Sequence, residues 1–317
     1  MSSDAAVALG LDAGGTQTRW ATVDADGRLL QTGTVAAISA LQMGEAAGRA
    51  TVALALADLA QQLGADQVGR VCAGVTGVGG QSEAAALALR LALAQALHLD
   101  AALVTVRSDI EVAYRAAFAP GQGYLVYAGT GSVAAYVDAS GELQRAGGRG
   151  GILDDAGGGY WIAREALRQI WREEDLRPGA WRDSVMAQRV FEHIGASDWA
   201  SSRQFVYVGT RGAMGQLALA VAAAAEADPA AMSILQRAGT ELARLGLVLC
   251  SRFGPRPVAL GGRAAHLHPA IVQSMRAALP PQQTLELVTI RAELAAARMA
   301  GEQLRCLGPT SALNAIP

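Results

Sequence analysis

Residues 12–18, Asp12-Ala13-Gly14-Gly15-Thr16-Gln17-Thr18, crowd an acid, two glycines and two threonines into the end of a short apolar run. Glycine lets a backbone approach an anion closely and adopt turns closed to other residues. Successive N–H groups in such a turn form an anion nest, to which Thr16 and Thr18 can add hydroxyl donors. A carboxylate beside a phosphate is repulsive unless a divalent cation such as Mg2+, with its waters, lies between them. The same residues would also make a plain tight hairpin. Gly129-Thr130-Gly131-Ser132 repeats the ingredients without the acid. Two such turns at equivalent points of the chain suggest a polyphosphate ligand gripped from both sides.

Three further stretches could take part. In "PVALGGRAAHLHPAI", residues 257–271, an apolar run delivers Gly261, Gly262 and Arg263, with a helix expected to start near Ala264. A flat ring such as adenine could lie on that bare backbone, and a simple strand-to-helix turn would look the same. Asp109 stands where the apolar "ALVTV" run gives way to a helical pattern. Residues at the carboxyl ends of parallel strands face a crevice. There an Asp could take a proton from an attacking hydroxyl, or simply favour the helix dipole. "GGRGGILDDAGGGYWIAREAL", residues 147–167, runs two adjacent acids into a helix. Adjacent carboxylates need partners, such as backbone N–H groups or sugar hydroxyls.

Composition narrows the chemistry. The chain has 317 residues, and no lysine occurs among them; all 26 basic residues other than histidine are arginine. A Walker P-loop, a protein-kinase site and Schiff-base chemistry each need a lysine. The net charge of −2 gives no basic excess for nucleic acid. Cys72, Cys250 and Cys306 are scattered and odd in number, and read as buried free thiols in a reducing compartment. The four histidines show no metal-ligand spacing. No signal peptide or membrane span is evident, so a cytoplasmic location is expected.

The elements that must position these residues form a repeat. Residues 6–11 read as a strand entering the glycine turn, with a hairpin closed by Asp26-Gly27. Helices are expected at 45–63 and 82–97, and strands at "GRVCAGV" and 102–106. Residues 123–147 then replay the plan of 7–35, with a Ser140-Gly141 turn. Helices follow near 160–171, 183–194, 213–226 and 230–251, then the "PVALGG" strand and a last helix over roughly 290–306. Length and repeat together predict two similar α/β domains.

In this order the five stretches resemble the sugar-kinase/actin/Hsp70 superfamily, and within it the N-acetylglucosamine kinases of the BadF/BadG/BcrA/BcrD ATPase family. "LDAGGTQT" is similar to that family's first phosphate segment, "AGTGS" to its second and "LGGRA" to its adenosine segment. "GGRGGILDDAGGGYWIAREAL" is similar to its Gly-Gly-Trp…Gly-Asp-Glu-Gly…Tyr-Trp-Ile segment. The resemblance implies two RNase-H-like, actin-like ATPase domains with a ligand cleft between them. A sugar/phosphate domain would span 1–119 plus a returning helix in 290–317, and a nucleotide-binding domain 120–289. It implies ATP and Mg2+ as cofactors, an amino sugar as substrate and a homodimer; charge and hydropathy point to no nucleic acid or membrane partner.

Position by position, the resemblance makes Asp109 the catalytic base and Asp12 the acid near Mg2+, reached through water. It puts Gly14, Gly15, Thr16, Thr18, Gly129, Thr130, Gly131, Ser132, Gly261, Gly262 and Arg263 on the nucleotide. Asp109, Thr130, Gly148, Arg149, Gly150 and Asp155 fall on the sugar. Three positions depart from the family pattern: Arg149 replaces its Trp, Ala156 replaces its Glu, and Ser39 and Ala40 stand where it has an Asn. The implied reaction is phosphorylation of N-acetylglucosamine or glucosamine at the 6-hydroxyl. Rival readings are an ATP-driven activator of a dehydratase or reductase, and a non-catalytic sugar sensor.

Overall fold

The computed structural model describes residues 6–64, 67–79 and 83–306. The chain divides into two compact units, Met1–Ala116 with Ile290–Pro317, and Ala117–Thr289.

The first unit is built on a five-stranded sheet. β1 (Val7–Ala13) turns into β2 (Gln17–Val23) and β3 (Leu29–Ala36), then come β4 (Val68–Val75) and β5 (Val104–Ser108). The order is β3-β2-β1-β4-β5, with β1 antiparallel to β2 and parallel to β4, and β4 parallel to β5. β1 is covered on both faces, as its unbroken apolar run requires. Alternation of side chains divides the strand cleanly. Leu9, Leu11 and Ala13 join Trp20, Leu56, Leu59, Leu89 and Leu93 in one core. That core is closed by α1 (Ala46–Leu63) and α2 (Glu83–Ala96).

Ala8, Gly10 and Asp12 take the other face, beside α3 (Asp109–Ala117) and the last helix, α10 (Ala292–Cys306). Ala292, Ala296 and Ala300 recur at helical spacing and meet Ala8, Ala21, Val23 and Cys72. A Cβ on Gly10 would run into the α10 backbone at Glu293 and Ala297, so only glycine lets the helix ride this low on β1. The seat of α10 on this sheet is thereby built from small residues.

The second unit repeats the sheet. β6 (Tyr124–Ala128), β7 (Ser132–Val137), β8 (Leu143–Gly147), β9 (Val258–Gly261) and β10 (Leu285–Leu287) lie in the order β10-β9-β6-β7-β8. β6 and β7 pair antiparallel, and β6 and β9 parallel. Each sheet therefore has the RNase-H-like order, and the repeat legible in 7–35 and 123–147 is real. The helices are α4 (Gly159–Leu176), α5 (Val185–Ile194), α6 (Trp199–Val208), α7 (Arg211–Ala224), α8 (Pro229–Phe253) and α9 (Pro269–Ala278).

Local chemistry corrects several expectations. The strand expected at 102–106 starts later, because Asp100 accepts a hydrogen bond from the Ala102 N–H (2.7 Å) and winds Ala101–Leu103 into a 3-10 turn. The helix expected near Ala264 is a 3-10 turn, Arg263–His266, and the α-helix waits for Pro269 at its first turn. α6 was not foreseen: its last turn, Phe205-Val206-Tyr207-Val208, has β-forming residues, but Asp198 caps its first turn. Cys72 is a buried free thiol, and burial pushes it up to about 11. Cys250 is only half-buried, and the Cys306 side chain lies outside the described residues. No single described helix is long and apolar enough to cross a membrane, though α7 and α8, bent by 119°, pass that test as a pair.

Candidate functional site

In the first unit, the period of two puts Asp12 on the α3/α10 face, opposite Arg19 on β2 and beside Gly74 on β4. Gly74 pairs with Arg107 on β5, and Ser108 hands the chain to Asp109, the first residue of α3. A Cβ on Gly74 would press on Val112 and lie 3.5 Å from Asp109 Cα, so the missing side chain lets α3 settle on the strand ends. The Asp109 Oδ1 accepts from the Ile110 N–H at 2.7 Å and from the Ser108 hydroxyl at 3.4 Å. In the same first turn, Glu111 pairs with Arg107 (2.6 Å) and Arg115 (3.4 Å).

Asp12 carries the clearest electrostatic signature. Burial pushes its carboxyl up to about 6; Arg19 opposes the rise, while Asp109 and Glu293 add to it. Glu293, buried in the first turn of α10, is itself paired with Arg291 at 3.0 Å. A carboxylate so placed is costly to ionise alone and gains most from a divalent cation. Among the described residues no three His, Cys, Asp or Glu side chains could hold a metal between them. A cation here would fill its shell with water and ligand oxygens, as Mg2+ commonly does.

The adjoining turn is open. The Gly14 N–H donates to the Gln17 carbonyl (3.3 Å), while Gly15, Thr16 and Gln17 are exposed. A Cβ on Gly15 would meet nothing within 4 Å, and neither Gly14 nor Gly15 takes a positive φ. The fold itself does not demand glycine at Gly15; close approach of a ligand would.

In the second unit the matching turn is packed tight. The Gly129 and Thr130 carbonyls accept from the Gly159 and Tyr160 N–H groups at 2.9 and 2.8 Å, so the start of α4 caps the turn. A Cβ on Gly131 would collide with the Asp155 carboxylate, and one on Gly158 would lie 2.6 Å from Gly131 C. The Thr130 side chain borders Gly215 of α7. At the end of β9, a Cβ on Gly262 (φ 95°) would collide with the Ala128 carbonyl, so the Gly261-Gly262 bend lies against the end of β6; Arg263 beyond it is exposed.

The acidic loop solves its charge problem with arginines. Asp154 accepts from the Ala156 N–H (3.3 Å) and pairs with Arg244 (3.2 Å). Asp155 accepts from the Gly150 N–H (2.9 Å) and pairs with Arg211 (2.8 Å). Asp155 is only 4% exposed and has φ 55°, a conformation that persists when the surroundings over-determine it. Gly148 and Gly150 also turn through positive φ, and Gly148 and Arg149 are exposed.

Two candidate residues are corrected. Thr18 is fully buried and its Oγ1 accepts from the Ile38 N–H (3.0 Å), so this hydroxyl holds the end of the first hairpin and cannot reach a phosphate. Ser132 is 3% exposed and donates to the Ala156 carbonyl at 2.7 Å, tying β7 to the acidic loop. Both alternate onto the inner face of their strands, which the glycine-hydroxyl pattern does not reveal. At the departures from the family pattern, Ala156 faces the interior, and Ser39 opens a 3-10 turn where its N–H donates to Gln42 (2.7 Å). Sequence reasoning misses Arg19, Arg211, Arg244 and Glu293: the acids announce a need for counter-charge, but Arg211 and Arg244 lie 56 and 90 residues from Asp155 and Asp154, and Glu293, which adds to the charge at Asp12, comes from the last helix.

A family model described as the BadF/BadG/BcrA/BcrD ATPase family matches residues 9–284. No curated protein matches the chain. Among solved structures, a candidate N-acetylglucosamine kinase from Chromobacterium violaceum has 25% identity and a TM-score of 0.72, over 93% of this chain and 99% of that one. Its counterpart from Porphyromonas gingivalis has 20% identity and a TM-score of 0.73, over 94% and 99%. A ROK family glucokinase from Streptomyces griseus, in complex with glucose and AMPPNP, shares the fold at 20% identity and a TM-score of 0.56, over 94% and 99%.

Proposed function

The chain belongs to the BadF/BadG/BcrA/BcrD ATPase family, and from that premise we propose that it is an ATP-dependent kinase of an amino sugar, N-acetylglucosamine or glucosamine, acting at the 6-hydroxyl. The observation that carries the reading is the placement of Asp109. It opens α3 at the carboxyl edge of β5, within electrostatic reach of Asp12.

Asp109 orients the sugar 6-hydroxyl and takes its proton. Its Oδ1 accepts from the Ile110 N–H and the Ser108 hydroxyl, which restrains the carboxylate. The open turn at Gly14, Gly15 and Thr16 and the braced turn at Gly129, Thr130 and Gly131 act on the phosphates through backbone N–H groups and threonine hydroxyls. Gly261, Gly262 and Arg263 take the rest of the nucleotide. Asp155, Thr130 and the loop Gly148-Arg149-Gly150 take the sugar hydroxyls and its nitrogen substituent. When bound, Mg2+ near Asp12 neutralises the phosphate oxygens and offsets the charge of the carboxylates.

The test is coupled ADP release over a panel of hexoses and amino sugars with ATP and Mg2+. The expected result is ADP release that depends on N-acetylglucosamine or glucosamine and saturates with it. ADP release indifferent to every sugar would overturn the proposal.

A further inference from the structure

Arg211 has no place in the motifs that mark this chain, yet it forms an ion pair with Asp155 at 2.8 Å. We propose that Arg211 is the positioning residue of the sugar site: it fixes the Asp155 carboxylate so that the remaining lone pairs meet the sugar hydroxyls. This rests on the sugar-kinase reading and deepens it.

Three elements converge on this one carboxylate. The loop supplies the Gly150 N–H to Oδ1. The β6–β7 turn supplies a floor, since Gly131 has no side chain and the carboxylate occupies the space a Cβ would need. The first turn of α7 supplies the Arg211 guanidinium to Oδ2. Removal of the loop bond or the floor would disturb the turn itself, because Gly129, Thr130 and Gly131 are locked to the start of α4. Arg211 alone reaches the site from outside that packed core: its side chain is 59% exposed.

Arg211 is itself aimed. Thr210 caps α7 through the Ala213 N–H (3.1 Å), which sets the start of the helix. The guanidinium also lies over the Tyr160 ring, 5.8 Å from its centroid. Tyr160 is the second residue of α4, and its N–H donates to the Thr130 carbonyl. The arginine thus links the acid to the aromatic residue beside the turn. A carboxylate in a left-handed backbone conformation has little freedom of its own. An arginine on Oδ2 and an N–H on Oδ1 leave each oxygen a lone pair with which to accept from a ligand hydroxyl.

The predicted signature separates positioning from structure. Arg211→Gln should raise the KM for the amino sugar at least about tenfold, the worth of one charge-assisted hydrogen bond. The KM for ATP should stay near wild type, and the glutamine amide, still able to donate to Oδ2, should spare most of the melting temperature that an unpaired buried carboxylate would cost. Arg211→Lys should restore part of the sugar affinity. Asp155→Asn and Arg211→Gln combined should cost no more than Asp155→Asn alone, since one residue acts through the other. An unchanged sugar KM in Arg211→Gln, with wild type active, would overturn the role of Arg211 and leave the kinase reading intact. Equal losses for ATP and sugar with a lowered melting temperature would reduce Arg211 to a structural residue and also overturn it. A wild-type protein that turns over no sugar would overturn the underlying reading and this role with it.

Discussion

The two sheets share one strand order, but their glycine turns are used in opposite ways. The turn after β1 is open: Gly15 has free space around it, and the residues that follow are exposed. The turn after β6 is braced: α4 caps its carbonyls and Asp155 fills the gap over Gly131. The same ingredients therefore answer different demands. In the first turn glycine leaves room that only a ligand would use. In the second it makes room for the protein's own carboxylate. The charges differ too: buried Asp12 lies within reach of the acids Asp109 and Glu293, the last itself paired with Arg291, whereas Asp154 and Asp155 are each paired with an arginine. A cation-binding role suits the first arrangement, and hydroxyl recognition suits the second.

The comparison breaks most visibly at Asp109. Asp109→Asn should lower kcat by about 10²–10⁴-fold, the usual worth of general-base help, while nucleotide still raises the melting temperature. Near-normal kcat would remove Asp109 from the chemistry.

Next comes the cost of the clustered acids. A folded-state carboxyl raised to about 6 keeps its proton where the unfolded chain, near 3.8, has lost it. The unfolded chain then binds fewer protons, so this group's contribution to stability falls as pH rises from about 4 to 6. In metal-free buffer, Asp12→Asn should gain stability over wild type across that window by up to about 3 kcal/mol, read by denaturant unfolding. A difference independent of pH would show that Asp12 ionises freely.

The glycines sharpen the contrast directly. Gly131→Ala should cost about 1–3 kcal/mol of stability through overpacking and weaken sugar binding, because Asp155 must move. Gly15→Ala should leave stability within about 0.5 kcal/mol yet raise the KM for ATP. Equal melting temperatures for the two variants would dissolve the distinction between an open and a braced turn. The smallest effect on catalysis is expected at Ser132→Ala, which loses one hydrogen bond to Ala156, about 1 kcal/mol of stability, with the KM for ATP unchanged. A large rise in that KM would return Ser132 to the phosphates.

Much of this was readable because short-range rules govern it. The hairpins follow from Asp26-Gly27 and Ser140-Gly141, and both glycine bends of the second unit lie at the ends of the strands expected to carry them. What was not readable depends on the third dimension. Thr18 and Ser132 carry the right hydroxyls, but strand alternation turns them inward. Arg211 and Arg244 are two of 26 arginines, and only the packing of α7 and α8 selects them for Asp155 and Asp154. α6 hides in β-forming residues because Tyr207 and Val208 stay exposed and need no strand partner.

The most direct measurement is NMR of the product made by wild type and by Asp109→Asn from ATP and each amino sugar. The account predicts a phosphate on the 6-oxygen with wild type and almost none with the variant, although both bind nucleotide. Phosphate at another oxygen, or equal product from both proteins, would contradict it.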